Sequence, residues 1–252
     1  MPFLRTSDLA RAVGIHPNTV RRYVEWGLLP PVERTPSGYR IFTQRHLDCL
    51  RLARQIYTSA YPGRGLRQSG LKVILLAVAG DLQGALDQAV LHLALVQSEQ
   101  RQADMAATLL ERWSEGIAAE PAGPTMQIGQ AARLLDATVD MLHNWERNGL
   151  VDIPRDLNNG YRRYGPKEIS RLRVIRMLGM AGYSHMAMLR MFLQLDRGET
   201  RDLRHALDTP RPDEDIFSAA DRWLSTLAEQ EERARQAVAL LEEILSRPAV
   251  DP

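Results

Sequence analysis

Apolar residues recur at helical spacing through most of this chain, in runs of two lengths. Near the start the runs are short. Leu9, Ala12 and Val13 predict the inner face of a helix over Ser7 to Val13, with Thr6 as its N-cap. Gly14 breaks it, and His16-Pro17 restarts a helix with proline at the first position, where a missing N–H costs nothing. That second helix runs from Asn18 to Trp26 and carries a Val20/Val24 stripe; Gly27 stops it as a left-handed C-terminal residue. Val32 to Arg34 and Tyr39 to Phe42, around Thr35-Pro36-Ser37-Gly38, predict a two-stranded wing. Thr43 is placed to cap a further helix carrying Leu47, Leu50, Leu52 and Ile56.

The long runs come later. Leu86, Ala89, Leu93, Val96, Gln100, Ala103, Ala107 and Leu110 are separated by steps of three and four. Phe217, Ala220, Leu224, Leu227, Glu231, Ala234, Val238, Leu241 and Leu245 repeat the pattern. This is heptad spacing, and it predicts coiled-coil helices over 82–113 and 214–247. Each seam holds one polar residue near its centre, Gln100 or Glu231, and an antiparallel pair would bring the two together.

The short pattern is written twice. Ala10-Arg11, Gly27-Leu28 and Gly38-Tyr39-Arg40 reappear as Ala132-Arg133, Gly149-Leu150 and Gly160-Tyr161-Arg162, always 122 residues on, which reads as an ungapped repeat. In the second copy Thr138 takes the capping place of His16, Trp145 replaces Tyr23, Asn158-Asn159-Gly160 forms the wing tip, and Gly165-Pro166 starts the next helix. The first copy has extra residues near Tyr57 to Arg64. The second has extra residues near Gln194 to Pro212, read as a longer loop with a short helix. The predicted organisation is a first winged unit over 1–80, a coiled-coil helix over 81–115, and a Gly/Pro/Ala linker over 116–125. A second winged unit follows over 126–195, then an insert and second coiled-coil helix over 196–252.

Composition changes the picture in three ways. A single cysteine, Cys49, excludes an internal disulfide and fits a reducing compartment. No stretch approaches the roughly 18 apolar residues of a membrane span, and the start MPFLRTSDLA lacks the apolar core of a signal peptide, so a cytoplasmic protein is expected. The net charge of +1 hides a segregation. Residues 1–72 carry +8, 73–125 carry −5, 126–195 carry +4 and 196–252 carry −6. Basic heads therefore alternate with acidic tails, and a basic head attracts phosphate.

Two short helices, a tight turn and a wing make a winged helix-turn-helix. The second helix of the first copy shows Asn18, Thr19, Arg21, Arg22 and Tyr23; Arg and Asn match guanine and adenine edges in a major groove. Arg34, Tyr39 and Arg40 would meet phosphate from the wing, fixing register rather than sequence. The second copy offers Asp140, His143, Asn144 and Arg147 on its helix and Arg155, Tyr161, Arg162 and Arg163 on its wing. No Gly-rich phosphate loop, metal cluster or nucleophile constellation points to an enzyme. The six histidines (16, 46, 92, 143, 185, 205) show no paired ligand spacing, so no metal or cofactor is expected. The Met-rich run from Met177 to Met191 reads as core, while a small apolar effector entering near Trp113, Tyr183, Met186 or Trp223 stays open.

These motifs resemble the MerR family of bacterial transcription regulators. The resemblance rests on Arg21-Arg22-Tyr23, Gly27-Leu28-Leu29-Pro30-Pro31 and Gly38-Tyr39-Arg40-Ile41-Phe42 in the first head. In the second it rests on Trp145-Glu146-Arg147-Asn148-Gly149-Leu150 and Gly160-Tyr161-Arg162-Arg163-Tyr164. It implies a mainly α fold of two winged helix-turn-helix domains, each followed by a long coiled-coil helix. It further implies a regulator that binds double-stranded promoter DNA, distorts it and acts on RNA polymerase indirectly, within the nucleoid. His143 stands where the family has arginine, so the two heads should read different bases. Family subunits pair through antiparallel helices. Here the two long helices can pair within the chain, as a single-chain pseudo-dimer, or each with its copy in a second chain. An architectural or recombination accessory protein is the alternative use of such heads.

Overall fold

The computed structural model describes residues 3–57, 64–116, 123–210 and 219–247. They form α1 (Thr6–Ala12), α2 (Pro17–Glu25), β1 (Glu33–Arg34), β2 (Arg40–Ile41), α3 (Gln44–Ile56), α4 (Arg64–Ala79) and α5 (Leu82–Gly116). Then follow α6 (Ile128–Leu134), α7 (Val139–Arg147), α8 (Pro166–Met180), α9 (His185–Asp196), α10 (Leu203–Asp208), a short 3-10 helix (Ala219–Arg222) and α11 (Trp223–Ser246). The fold is mainly α: two winged helix-turn-helix domains, each followed by a long helix. Phe217, the inter-helix linker at 117–122 and most of the extra residues near Tyr57 to Arg64 lie outside the described residues.

The chain divides into two units, residues 1–98 with 227–252, and residues 99–226. In the first, α1 starts one residue earlier than its composition suggests. Asp8 Oδ2 accepts the Arg5 N–H at 2.8 Å, so Arg5, not Thr6, is the capping residue. Leu9 and Ala10 are buried, whereas Ala12 faces out. His16 caps α2 through its ring nitrogen, which accepts the Asn18 N–H at 3.2 Å, and Pro17 opens the helix. Gly27 takes φ +70°, letting the Leu28 N–H reach back to the Tyr23 carbonyl at 2.9 Å. Leu28, Leu29, Phe42, Leu50, Leu52 and Ile56 close one core with Val20 and Tyr23.

Part of that core comes from far along the chain. Ala85 and Ala89 of α5 share it with Ala237 and Leu241 of α11. Arg247 bridges Asp48 of α3 at 2.7 Å and Glu243 at 2.7 Å, and Gln97 Nε2 donates to Glu231 Oε1 at 2.9 Å. From α5 the glutamate is therefore met by Gln97, one helical turn before Gln100, and on its own helix it pairs with Arg235 at 2.6 Å. Buried residues along α11 follow Trp223, Leu227, Gln230, Ala234, Ala237 and Leu241, one residue off the expected seam at three places, and Leu245 is exposed.

In the second unit, α8 buries Ile169, Leu172, Ile175 and Leu178, and α9 buries Met188, Met191 and Phe192. The α5 segment beyond Glu99 belongs here. Tyr183 Oη donates to the Ala103 carbonyl at 3.2 Å, Trp113 Nε1 donates to Ser170 Oγ at 2.6 Å, and Trp113 meets Phe192 edge to face. The expected short helix in the insert is α10. Its Leu203, Ala206 and Leu207 are buried, and Arg190 donates to the Ala206, Leu207 and Asp221 carbonyls. Among the described residues the α-helical part of the C-terminal helix begins at Trp223, and the expected start at 214 lies outside them. The Asp208 carboxylate accepts the Ser225 N–H at 3.1 Å, a capping interaction reached from outside the helix that no local pattern announces.

Burial holds both His46 and His92 below the ordinary histidine range. His46 keeps partners in Thr43 and Pro31, whereas His92 Nδ1 finds none among the described residues. Both take up protons at lower pH in the folded chain than in the unfolded chain, which does so below about pH 6.5. Stability is thus fully present above that value and falls as pH drops. Melting temperatures should decline between about pH 7.5 and about 5.5. His92→Leu should flatten that decline and leave the neutral-pH melting temperature equal or higher. A steeper decline in the variant would contradict this.

Candidate nucleic-acid interface

The two heads share one backbone plan. Leu4 and Phe42 exchange hydrogen bonds at 2.9 and 3.0 Å, tying the chain start to the wing base, and Met126 and Tyr164 do the same at 2.9 Å. The Leu150 N–H reaches the Trp145 carbonyl at 3.0 Å across Gly149 (φ +73°), as Leu28 does across Gly27. Thr138 Oγ1 caps α7 by accepting the Met141 N–H at 3.1 Å. Tyr23 and Trp145 are both buried and set each recognition helix from behind, so neither adds to the outward face.

The wings are not quite superposable by sequence number. β1 and β2 pair Arg34 with Arg40, while the second wing pairs Arg155 with Arg162. Arg34 Nη1 donates to the Gly38 carbonyl at 3.1 Å, and Arg155 Nη1 to the Gly160 carbonyl at 3.3 Å. Arg155 therefore takes the role of Arg34, 121 residues on, although the helices and glycines keep an offset of 122. One residue fewer before the wing and one more at its tip cancel, and a plain alignment hides both. Thr35 Oγ1 accepts the Tyr39 N–H at 3.0 Å in the first tip. In the second, Asp156 Oδ1 accepts the Asn158 N–H at 2.9 Å and the Asn159 N–H at 3.3 Å.

On the first head, α2 turns Asn18, Arg21, Arg22, Glu25 and Trp26 outward, with Thr19 half-buried. Arg21 Nη1 donates to Asn18 Oδ1 at 3.0 Å, which holds both side chains on one face. A concavity of about 920 Å³ lies between this helix, the start of α1 and the wing. Arg5, Arg21 and Arg40 line it with no carboxylate among them, and Tyr39 stands at its edge, 74 % exposed. Arg5 was not legible as a candidate, because only the fold carries the start of α1 to the wing.

The second head presents its charges differently. Asp140, Asn144 and Arg147 are exposed on α7, Tyr161 is 67 % exposed, and His143 is half-buried, 3.9 Å from Glu146. Arg162, the counterpart of Arg40, donates from Nε to both Glu146 oxygens, at 3.0 and 2.7 Å. Val24 occupies the Glu146 position in the first head, so Arg40 has no such acid beside it. Arg163 pairs with Asp156 at 2.6 Å, and its hydrogen bond holds that carboxyl below the usual range. Two of the three wing arginines expected to face phosphate are thus engaged by carboxylates of their own head. Glu146 of the recognition helix is thus an ion-pair partner of the wing.

Among the described residues no group of three or more His, Cys, Asp or Glu is placed to hold a metal, and no helix is long and apolar enough to cross a membrane. Burial raises the Cys49 thiol to about 11, which leaves it protonated.

The model of the MerR HTH family regulatory proteins matches residues 4–58 and 126–194, one match per head. The HTH-type transcriptional regulator CueR of Escherichia coli O157:H7 is 39% identical over 67 residues, 27% of this chain and 47% of that protein. CueR of Salmonella typhimurium is 42% identical over 52 residues, 21% of this chain and 38% of that protein. The mercuric resistance operon regulatory protein of Bacillus cereus is 36% identical over 52 residues, 21% of this chain and 39% of that protein. The chain spans less than half the length of these curated relatives. No solved structure matches. Each head is a helix-turn-helix unit of the MerR family, and the chain carries two of them in tandem.

The wing tips yield a direct test. A hydrogen bond of this kind contributes about 1 kcal/mol, or about fivefold in an opening equilibrium. Asp156→Ala should therefore speed amide exchange at Asn158 and Asn159 by about fivefold or more, and Thr35→Ala should do the same at Tyr39. Unchanged exchange would mean that neither side chain holds its tip.

Proposed function

We propose that this protein is a sequence-specific, non-catalytic regulator of transcription that grips one promoter site with two unlike heads from a single chain. The observation that carries the reading is the first head's face, where Asn18, Arg21 and Arg22 stand beside a cleft lined by Arg5, Arg21 and Arg40. Arginine and asparagine on α2 offer bidentate donors to base edges, and the cleft is shaped and charged for a phosphate backbone. Arg34, Tyr39 and Arg40 then set register. The names of the relatives, all regulators, support the same class.

The second head serves as the weaker and differently tuned grip. Asp140, His143, Asn144 and Arg147 replace the cationic face of α2. Arg162 and Arg163 must leave Glu146 and Asp156, or share them, to reach phosphate. The site should consist of two dissimilar half-sites in successive major grooves, with DNA distortion driven by wing contacts and polymerase affected indirectly. Pairing of α5 with α11 inside the chain supplies the symmetry that other members obtain from two subunits. The Gln97–Glu231 hydrogen bond and the core shared by Ala85, Ala89, Ala237 and Leu241 support that pairing. A cytoplasmic, nucleoid-associated protein follows from this role.

Selection of fragmented genomic DNA on the purified protein, followed by footprinting, tests the reading. Arg21→Ala and Arg22→Ala should each weaken the selected site by about 1–3 kcal/mol and relax the bases they touch. Arg40→Ala should weaken all sequences alike and reduce the salt slope by about 1. Arg162→Ala should cost less than Arg40→Ala, and Glu146→Val should raise affinity by freeing Arg162. No enriched site would sink sequence-specific regulation and favour an architectural role.

A further inference from the structure

The repeat provides an internal comparison at a place remote from the recognition helices. In the first unit, the end of α1, one face of α3 and the stretch of α11 from Ala228 to Glu243 enclose a cleft of about 990 Å³. In the second unit, the end of α6, one face of α8 and the C-terminal half of α5 enclose a groove of about 550 Å³. The two are built from corresponding residues: Leu134 and Met177 stand 122 positions after Ala12 and Gln55, and Gln236 stands 131 positions after Met105.

Their chemistry is opposite. The first cleft is balanced, with Arg51, Arg54 and Arg233 against Glu229, Glu232 and Glu243. The second is floored and walled by Met105, Leu109, Leu134, Met177 and Met180. Of these, Met105 is 65 % exposed, Leu134 51 % and Met180 69 %. The same backbone is built in the first unit with alanine and glutamine at three of these positions, so folding does not require the apolar set. An exposed apolar patch that folding does not require marks a binding surface. The groove's volume falls within the range of about 300–1,000 Å³ typical of small-molecule sites, and methionine adapts to varied apolar shapes.

The charges around the groove fix the class of ligand. Arg176 is held by Asp136 at 2.6 Å, while Arg173 lines the groove with no carboxylate in ion-pair reach among the described residues. The groove is thus apolar inside, and its charged lining is net cationic, Arg173 and Arg176 against Asp136. We propose that it binds a small amphipathic anion, an apolar body lying on Met105, Leu134 and Met177 with a carboxylate or sulfonate meeting Arg173. This site differs from the region around Trp113, Tyr183 and Trp223, which is mostly packed in the core of the unit, with only Met186 turned outward.

Dodecanoate titrated into the full chain, by calorimetry and by displacement of anilinonaphthalene sulfonate, tests the proposal. One saturable site per chain is expected. Replacing Leu134→Ala, Met105→Gln and Met177→Gln together installs the residues of the other cleft and should lower affinity roughly tenfold or more. Arg173→Gln should lower it about two- to fivefold and erase the preference for dodecanoate over dodecyltrimethylammonium. If the triple variant melts without cooperativity, the exposed Met105→Gln alone carries the test. Absence of saturation, an unchanged affinity in the groove variants, or tighter binding of the cation would each overturn it.

Discussion

Burial of the α5 stripe is the constraint on which the rest depends. A 35-residue helix with small apolar residues along one side cannot keep that side in water, and helices gain most of their stability by packing such a face. Ala85, Ala89 and Val96 are buried in the first unit and Ala103, Ala107 and Leu110 in the second. Each head uses its share of this helix as a floor. In the first unit, the far end of α11 completes the packing through Ala237 and Leu241. Alanine at these places lets helix backbones approach closely, while the polar Gln97–Glu231 contact disfavours a slip in register.

On that floor the same module has diverged by a few charge changes. Valine at 24 and glutamate at 146 occupy one position, and the glutamate captures a wing arginine that its counterpart leaves open. Threonine and aspartate close the two wing tips, and only the aspartate also holds an arginine. Gly14 and Asp136 share a left-handed turn position, and the aspartate there anchors Arg176. None of these changes alters the backbone plan. All of them alter which cations remain available, so the repeat yields two heads of unlike exposed charge without a new fold.

Much of this was legible in the sequence because glycine, proline and heptad spacing act locally. His16-Pro17, Gly27, Gly149, Thr138 and the heptads located the recognition helices, their stops and the long helices. What escaped notice depended on residues distant in sequence. Asp208 caps α11 from 17 positions away, and Asp8 moves the start of α1 through a side chain reaching back. The compensating one-residue shifts in the second wing left every flanking motif in step. The pairing of Arg162 with Glu146 joins two motifs each read as a DNA contact, and only their distance shows that they satisfy each other.

The mass of the protein–DNA complex tests the central claim most directly. Sedimentation or native mass spectrometry on the selected site should find one 28.4-kDa chain per DNA, with both half-sites occupied. Two chains on that same DNA, one for each half-site, would contradict the account.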